Sequence, residues 1–281
     1  MLPVLSRRAF VGALAAAGAG ASAVVTGGGY FPVAIPLGGE EAGVVLRGGG
    51  AHLGRGGRLD FVASRDGGAT WSAPRTIADG PEDDRNPAFG RLSDGDLLVG
   101  YAILSGYETN RRDFDGVYLT RSRDNGRTWS RPQRSAAIHA FYAGKGAVSP
   151  YGKIVQLADG AVLMAVYFQF GGERGNESWL FRSADGGRTW GDPSLLGRHF
   201  NETALAAFPG GRLVAAMRSQ KGGHLAVIRS RDGGRTWTDP AVVTRDNEHP
   251  ADLVALSSGG LLLTYGVRVA PMGVHARTSR D

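Results

Sequence analysis

Short runs of β-branched and aromatic residues recur along most of the chain, and glycine-rich segments separate them. One set of runs follows Asp-Gly or Gly-Gly pairs and comprises Leu97–Ile103, Ala161–Phe170, Arg212–Arg218 and Leu261–Val267. A second set alternates with the first and comprises Leu59–Ala63, Val117–Thr120, Trp179–Arg182 and Leu225–Arg229. Runs of this length and composition between turn residues predict β-strands. The alternation therefore predicts an all-β chain built from repeated antiparallel units.

An octapeptide with a fixed pattern follows each run of the second set. Its copies are spaced roughly 50 residues apart, which is typical of the blades of a propeller. They read SRDGGATW at Ser64–Trp71, SRDNGRTW at Ser122–Trp129, SADGGRTW at Ser183–Trp190 and SRDGGRTW at Ser230–Trp237. A fifth copy begins at Ser279, and the chain ends within it. We therefore expect the last repeat to be incomplete.

The octapeptide has the composition of a structural turn. The aspartate at its third position can accept hydrogen bonds from backbone N–H groups of the turn, and its glycines allow the positive φ that such a turn needs. The tryptophan supplies apolar surface that can pack between neighbouring units. We therefore assign a structural and not a catalytic role to these aspartates, which are Asp66, Asp124, Asp185 and Asp232.

Composition and charge exclude several classes of function. The chain has no cysteine, which rules out disulfides, thiolate metal sites and cysteine nucleophiles. Its formal net charge is +6 at pH 7, but the basic residues are scattered and form no run or stripe. We therefore expect no nucleic-acid partner, whereas a mild positive excess suits anionic ligands. The histidines are isolated in the sequence, so we expect neither a zinc site nor another cofactor.

The first 23 residues have the features of an export signal. Arg7 and Arg8 form a twin-arginine pair, a weakly hydrophobic stretch rich in Ala and Gly follows, and Ala21-Ser22-Ala23 offers a cleavage site. We predict an exported protein, periplasmic or extracellular, with residues 1–23 as the signal peptide and residues 24–43 as a linker. The apolar stretch is short and rich in glycine and would span a bilayer poorly, so no membrane partner is expected beyond export.

The octapeptides resemble the Asp boxes, or BNR repeats, of the sialidase (neuraminidase) superfamily, and the resemblance covers residues 44–281. It implies a six-bladed β-propeller of the sialidase type, incomplete at its C-terminus because the chain stops in the fifth repeat. It also implies a monomer that acts on sialylated or other acidic glycans. Asp boxes also occur in propellers that only bind or scaffold, so the site residues need separate evidence.

Three arginines hold the substrate carboxylate in sialidases, and a guanidinium suits this role because it binds a carboxylate through two parallel hydrogen bonds. Arg85 opens an Arg-Asn-Pro-Ala motif that is similar to the first-arginine strand of the family, with Arg47 as the alternative. The stretch after Arg85 is about one blade shorter than in typical secreted bacterial sialidases, and an extra blade precedes it. The third arginine would be Arg268, with Arg277 as the alternative.

The resemblance also implies the carboxylates of the site. Glu202 precedes Arg218 as the catalytic glutamate precedes the second arginine in sialidases. Asp113 would be the acid/base that protonates the departing glycosidic oxygen, with Asp115 or Glu108 as alternatives. The nucleophile of sialidases is a tyrosine activated by the glutamate, and it would lie beyond the last residue of this chain.

These residues indicate an exo-acting, retaining glycoside hydrolase, an exo-α-sialidase that releases terminal sialic acid or a related 2-keto acid sugar. One alternative is a non-catalytic propeller that binds a glycan or a protein, in which the arginines would not converge. The other is a glycosidase for an uncharged sugar, in which carboxylates would line the cavity without a cluster of arginines.

Overall fold

The computed structural model describes residues 23–106, 113–142 and 146–280. Nineteen β-strands in these ranges form five consecutive antiparallel blades. Blade 1 contains β1 (Tyr30–Gly38), β2 (Glu41–Gly48), β3 (Arg58–Ser64) and β4 (Arg75–Ala78). Blade 2 contains β5 (Asp83–Arg91), β6 (Leu97–Ser105), β7 (Asp113–Ser122) and β8 (Gln133–Arg134). Blade 3 contains β9 (Ala147–Gln156), β10 (Val162–Gln169), β11 (Asn176–Ser183) and β12 (Gly191–Arg198).

The last two blades follow the same order. Blade 4 contains β13 (Phe200–Phe208), β14 (Arg212–Ser219), β15 (Leu225–Ser230) and β16 (Ala241–Val242). Blade 5 contains β17 (Glu248–Ala255), β18 (Leu261–Val267) and β19 (Gly273–Ser279). A short helix, α1 (Ala136–Tyr142), lies between blades 2 and 3. Within residues 23–280 as described, no helix has the length and apolar character needed to cross a bilayer.

The architecture confirms the all-β propeller, and every run predicted to be a strand coincides with an observed strand to within one residue at each end, apart from strands that extend further. Five blades account for the strands of the described residues, and the sixth blade of the sialidase type is not among them. The expected linker at residues 24–43 is wrong, because β1 and the start of β2 lie there. Val33, Ile35 and Leu37 of β1 are buried, and β1 is an edge strand, which tolerates proline at Pro32. The predicted signal peptide lies, except for residue 23, outside the described residues.

The core consists of layers between neighbouring blades. Successive residues of a strand point to opposite faces, and both faces of an inner blade are covered. In β6, Leu97 and Tyr101 pack towards blade 1, whereas Leu98 packs towards blade 3. Blades 2 and 3 are also joined by a short parallel pairing in which Ala88 of β5 lies opposite Gly152 of β9. These layers hold the inner strands side by side around a common centre.

The octapeptides form the turns after the third strand of each of the first four blades. In the first copy, the Ser64 hydroxyl donates to Asp66 Oδ1 at 2.8 Å, and the Thr70 backbone N–H donates to the same oxygen at 2.9 Å. The Gly68 N–H donates to Ser64 Oγ at 2.8 Å, and Gly68 has a φ of 91°. The same bonds recur in the other three complete copies. The structural role predicted for the four aspartates is therefore confirmed.

Each blade has two structurally distinct ends. The octapeptides lie at one end, which we call the box face. At the opposite end the inner strand begins and the second strand finishes; in blade 4, Phe200 at the start of β13 pairs with Ser219 at the end of β14. We call this end the site face, because the strand pattern brings the predicted residues Arg85, Glu202 and Arg218 to it.

Candidate functional site

Four of the five inner strands have a β-bulge near their first residues, at the site face. The strand register is broken by a bulge near the start of β1, β5, β13 and β17. A bulge at a strand end redirects the local side chains. In four of the five blades a proline marks the same point, and the residues before it are Phe31, Asn86, Ser149 and His249. In blade 4 the corresponding segment is Asn201-Glu202. Each blade therefore supplies a short, distinctive segment to the site face.

Glu202 and Arg218 form the ion pair that the sequence predicted to be functional. Arg218 Nη1 donates to Glu202 Oε2 at 2.8 Å, and both side chains are largely buried. The Asn201 side-chain oxygen accepts the Glu202 backbone N–H at 2.7 Å and so fixes the local backbone. The Nε of Arg218 is buried, and no described group accepts a hydrogen bond from it. The Nη1 group of Arg218 is therefore occupied by the Glu202 carboxylate.

His249 connects Arg218 to Arg268. Arg268 Nε donates to the His249 backbone carbonyl at 3.2 Å. The imidazole is 4% exposed, and its burial, together with the positive charges of Arg218 and Arg268, lowers the pKa of His249 to about 4. The imidazole is therefore neutral at neutral pH, and two of the three predicted arginines lie near enough to act on it.

His52 makes the same connection between Arg268 and Arg85. Burial lowers the pKa of His52, and the nearby charges of Arg85, Arg47 and Arg268 lower it further. The His52 ring lies 5.2 Å from the ring of Phe31, and the Arg85 guanidinium lies 5.3 Å from the Phe31 ring centre. Since Arg85 and Arg268 act on one imidazole and Arg268 and Arg218 act on another, the three predicted arginines converge on one region.

Asp83 holds two guanidiniums in this region. Arg47 Nε donates to Asp83 Oδ1 at 2.6 Å, and Arg85 Nη1 donates to Asp83 Oδ2 at 3.2 Å. Arg47 is fully buried and also donates to the carbonyls of Ala51 at 2.6 Å and Gly54 at 3.1 Å. Arg47 therefore holds the segment between β2 and β3 in place, whereas Arg85 donates only to Asp83 and to Asn86 Oδ1 at 3.3 Å among the described residues.

Two tyrosines line the region from blade 3. The Tyr167 hydroxyl accepts a hydrogen bond from Asn86 Nδ2 at 3.0 Å, and burial with the nearby Glu202 carboxylate raises the pKa of Tyr167 to about 12. Burial and Glu202 also raise the pKa of Tyr151, whose hydroxyl donates to the Ala251 carbonyl at 3.3 Å. Among the described tyrosines, none donates a hydrogen bond to Glu202.

An ion pair joins the inner strands of blades 3 and 5. Lys153 Nζ lies 2.5 Å from Asp252 Oδ1, and it also donates to the Leu253 carbonyl at 2.9 Å. Because β9 and β17 are both inner strands, this pair crosses the centre of the propeller. The pair therefore ties the inner strands of blades 3 and 5 together.

The predicted acid/base residues lie at the rim of blade 2. Asp113 is exposed at the start of β7, where its backbone carbonyl accepts from the Ser105 hydroxyl at 3.2 Å. Asp115 is held by Arg134 at 3.2 Å and by the Tyr118 hydroxyl. Glu108 lies outside the described residues. Asp113 is therefore at the correct end of its blade, and its role remains a prediction.

The remaining alternative, Arg277, is directed elsewhere. It donates to the Val243 carbonyl at 2.6 Å and lies 5.4 Å from the ring centre of Tyr265. Tyr265 itself packs in the apolar layer between blades 4 and 5. Neither residue joins the region around His249.

Sequence reasoning missed His52, His249, Asn86 and Tyr167. The histidines were set aside because they are isolated in the sequence. A signal existed for two of the four residues, since Asn86 and His249 directly precede proline at the same point of their repeats. Aligning the repeats on these prolines, as well as on the octapeptides, would have brought both residues to notice.

The arrangement favours binding of an anion. Arginines, neutral imidazoles and amides can donate hydrogen bonds to a carboxylate, and buried guanidiniums stay charged. Within the described part of the chain, no group of three histidine, aspartate or glutamate side chains could hold a metal ion.

Fold and repeat together define a β-propeller of the Asp-box class. More specifically, the chain belongs to the family of BNR repeat-like domains, whose sequence pattern matches residues 59–280. Among curated proteins, no sequence matches this chain.

Solved structures with the same fold include two sialidases. A protein of unknown function from Dyadobacter fermentans DSM 18053 is 24% identical with a TM-score of 0.75, over 89% of this chain and 78% of that one. The Hadza microbial sialidase Hz136 is 22% identical with a TM-score of 0.67, over 90% of this chain and 56% of that one. The NanB sialidase from Streptococcus pneumoniae is 10% identical with a TM-score of 0.65, over 90% and 67%. This chain therefore spans little more than half of Hz136.

Proposed function

We propose that this protein is an exo-acting glycoside hydrolase of the sialidase type that releases a terminal sialic acid or a related 2-keto acid sugar. The observation that supports the proposal is the convergence of Arg85, Arg218 and Arg268 beside the buried Glu202. An uncharged sugar would offer no anionic group to three guanidiniums that lie in one region. Arginines that served only the surface of a binding module would not gather around the buried His249 and the neighbouring His52.

The substrate carboxylate would bind between the arginines. A guanidinium offers two parallel donors to a carboxylate, and such charge-assisted bonds are strong in a partly buried site. The lowered pKa values of His52 and His249 keep both imidazoles from adding positive charge near neutral pH. Glu202 and Asp83 already balance part of the charge of Arg218 and Arg85, and the ligand carboxylate would balance the rest.

The catalytic groups would lie on opposite sides of the sugar. Asp113, exposed at the rim, would protonate the departing glycosidic oxygen and then activate water. Glu202 would accept a proton from a nucleophilic tyrosine, in the retaining mechanism of sialidases. The sugar would be presented as the end of an acidic glycan outside the cytoplasm, in keeping with the export signal predicted at residues 1–23.

A second function is favoured by one feature of the site. The Glu202 carboxylate is bonded to Arg218, and no described tyrosine donates to it. A site of this kind can bind an acidic sugar without hydrolysing it. The second candidate is therefore a propeller that binds acidic glycans.

Hydrolysis of a fluorogenic α-sialoside tests both candidates. We expect Arg218→Ala to lower kcat/KM by roughly 10- to 150-fold, because a hydrogen bond to a charged group contributes about 1.5–3 kcal/mol. Arg231→Ala is the matched control, since Arg231 is exposed on the box face. Calorimetric titration with free sialic acid is measured on the same three proteins.

Three outcomes separate the candidates. Hydrolysis that is lost in Arg218→Ala and kept in Arg231→Ala supports the sialidase. Binding without hydrolysis, again lost in Arg218→Ala, supports the binding propeller. A folded protein that neither binds nor hydrolyses these sialic acid derivatives overturns both.

A further inference from the structure

A cleft of about 810 Å³ lies between blades 2 and 3, beside the box face and away from the site described above. One wall is formed by the outer strands β7 and β8 of blade 2. The other wall is the third octapeptide turn, residues Gly187–Trp190. This volume lies within the range of small-ligand sites in proteins. The cleft therefore has room for a segment of two or three sugar units.

The wall of the cleft is strongly basic. Four arginines line it, namely Arg121, Arg123, Arg134 and Arg188, and no aspartate or glutamate of the described residues does so. Two of these guanidiniums are held from behind: Arg121 lies 2.8 Å from Asp96, and Arg134 lies 3.2 Å from Asp115. These two guanidiniums are therefore fixed in place, and the carboxylates behind them balance their charge.

The other two arginines remain adaptable. The Arg123 side chain is 74% exposed and lies 3.9 Å from Asp96, which is too far for a hydrogen bond. Arg188 is also exposed, and its Nη1 donates to the Asp185 backbone carbonyl at 2.6 Å. This carbonyl group carries no net charge, so the bond does not neutralise the positive charge of Arg188. Both guanidiniums can therefore turn towards an anion in the cleft.

Trp190, which lines the cleft, differs from the tryptophans of the other octapeptides. In the other three complete octapeptides the tryptophan Nε1 donates to a glycine carbonyl of the same turn, at 3.0, 3.2 and 3.0 Å. Trp190 is 4% exposed, and its Nε1 has no partner among the described residues. A buried donor without an acceptor is destabilising, so this turn is less well satisfied than the other three. Trp129 lines the same cleft.

The repeat explains how scattered arginines reach one place. Arg123 is the second residue of its octapeptide, and Arg188 is the sixth residue of the next one. They are far apart in sequence, but neighbouring blades bring the two turns to opposite sides of one cleft. The basic residues form no stripe along the sequence, and the fold collects them.

We propose that this cleft binds an anionic oligosaccharide that carries carboxylates. Guanidiniums recognise the carboxylates, and indole rings suit the apolar faces of sugar rings. A flat anionic membrane would not enter a concave cleft, and a nucleic acid would require a continuous basic stripe. The proposal does not depend on the activity of the site around Glu202.

Binding of trigalacturonic acid to the full chain tests this proposal, with neutral maltotriose as the uncharged probe. Titration is followed by calorimetry and by tryptophan fluorescence. We expect trigalacturonic acid to bind and maltotriose to bind at least 10-fold more weakly. Arg188→Ala should weaken binding of trigalacturonic acid at least 10-fold, and Arg123→Ala should have an effect in the same direction.

Matched variants keep the result interpretable. Arg127→Ala changes the sixth position of a different octapeptide, and Arg231→Ala changes the second position of another; both should bind like the unmodified protein. Absence of binding, or equal losses in Arg127→Ala and Arg188→Ala, would overturn the proposal. So would a loss in Arg218→Ala, because the probe would then occupy the site around Glu202. Binding to phosphatidylserine vesicles that Arg188→Ala abolishes, without binding of the sugar, would assign the surface to membranes instead.

Discussion

Replacing Asp83 by asparagine is expected to destabilise the protein strongly, because this carboxylate lies between two buried guanidiniums. Arg47 is 2.6 Å from one of its oxygens, and Arg85 is 3.2 Å from the other. The Asp83 and Arg47 side chains are completely buried. Asparagine has nearly the same shape but no charge, so the substitution leaves two cations facing each other without an anion.

The size of the effect follows from these contacts. Breaking a buried ion pair by removing one partner costs about 3–5 kcal/mol. Arg47 keeps its bonds to the carbonyls of Ala51 and Gly54, and asparagine keeps one acceptor, so we expect a loss near 3 kcal/mol. For a chain of this length, each kcal/mol lowers Tm by about 2–4 °C, which gives a decrease of about 6–12 °C.

Urea denaturation followed by tryptophan fluorescence measures the free energy of unfolding. The matched control is Asp79→Asn, which removes an exposed carboxylate nearby and should change the free energy by less than about 0.5 kcal/mol. If Asp83→Asn is no more destabilising than Asp79→Asn, the ion pair does not organise this part of the site. A double variant, Asp83→Asn with Arg47→Met, should lose less stability than the sum of the two single variants.

Two further substitutions test the layers between blades and a buried acid. Gly90→Ala should lower the free energy of unfolding by about 3 kcal/mol or prevent folding, because the new Cβ would lie 2.2 Å from the Ile154 carbonyl oxygen. The control is Gly273→Ala, whose Cβ would meet nothing within 4 Å and which should leave the free energy of unfolding unchanged. Urea denaturation measures both variants. Burial and nearby carboxylates raise the pKa of Asp84 to about 6. The folded protein therefore loses stability as pH rises from about 4 through 6. Asp84→Asn should gain stability relative to the parent over that range; a difference that does not vary with pH would contradict this.

The fold was predictable where local chemistry decides it. The Ser64–Trp71 turn is determined by side chains within eight consecutive residues, so the sequence pattern alone identifies it. Strand β1 was missed because Pro32 and Pro36 interrupt its pattern, and only its position at a sheet edge makes them acceptable. The parallel contact between β5 and β9 could not be predicted, because it depends on how two complete blades pack.

The candidate site, too, was predictable only where its residues lie close together in the sequence. Glu202 and Arg218 lie on one hairpin, so their spacing in sequence already implies that they meet. His52 and His249 are almost 200 residues apart, and only the arrangement of blades 1 and 5 brings both to Arg268. The basic cleft was missed for the same reason, since the scattered arginines gave no sign that neighbouring turns would gather them.

The separation of the two ends of each blade has a consequence for how such a protein can change. The turns that stabilise a blade lie at one end of its strands, and the residue before the inner-strand proline lies at the other. Replacing Asn86 or Ser149 would alter the side-chain contacts at the site face and leave every octapeptide turn intact. Blades of one repeat can therefore differ in their contacts at the site face, while the octapeptide turns that they share stay the same.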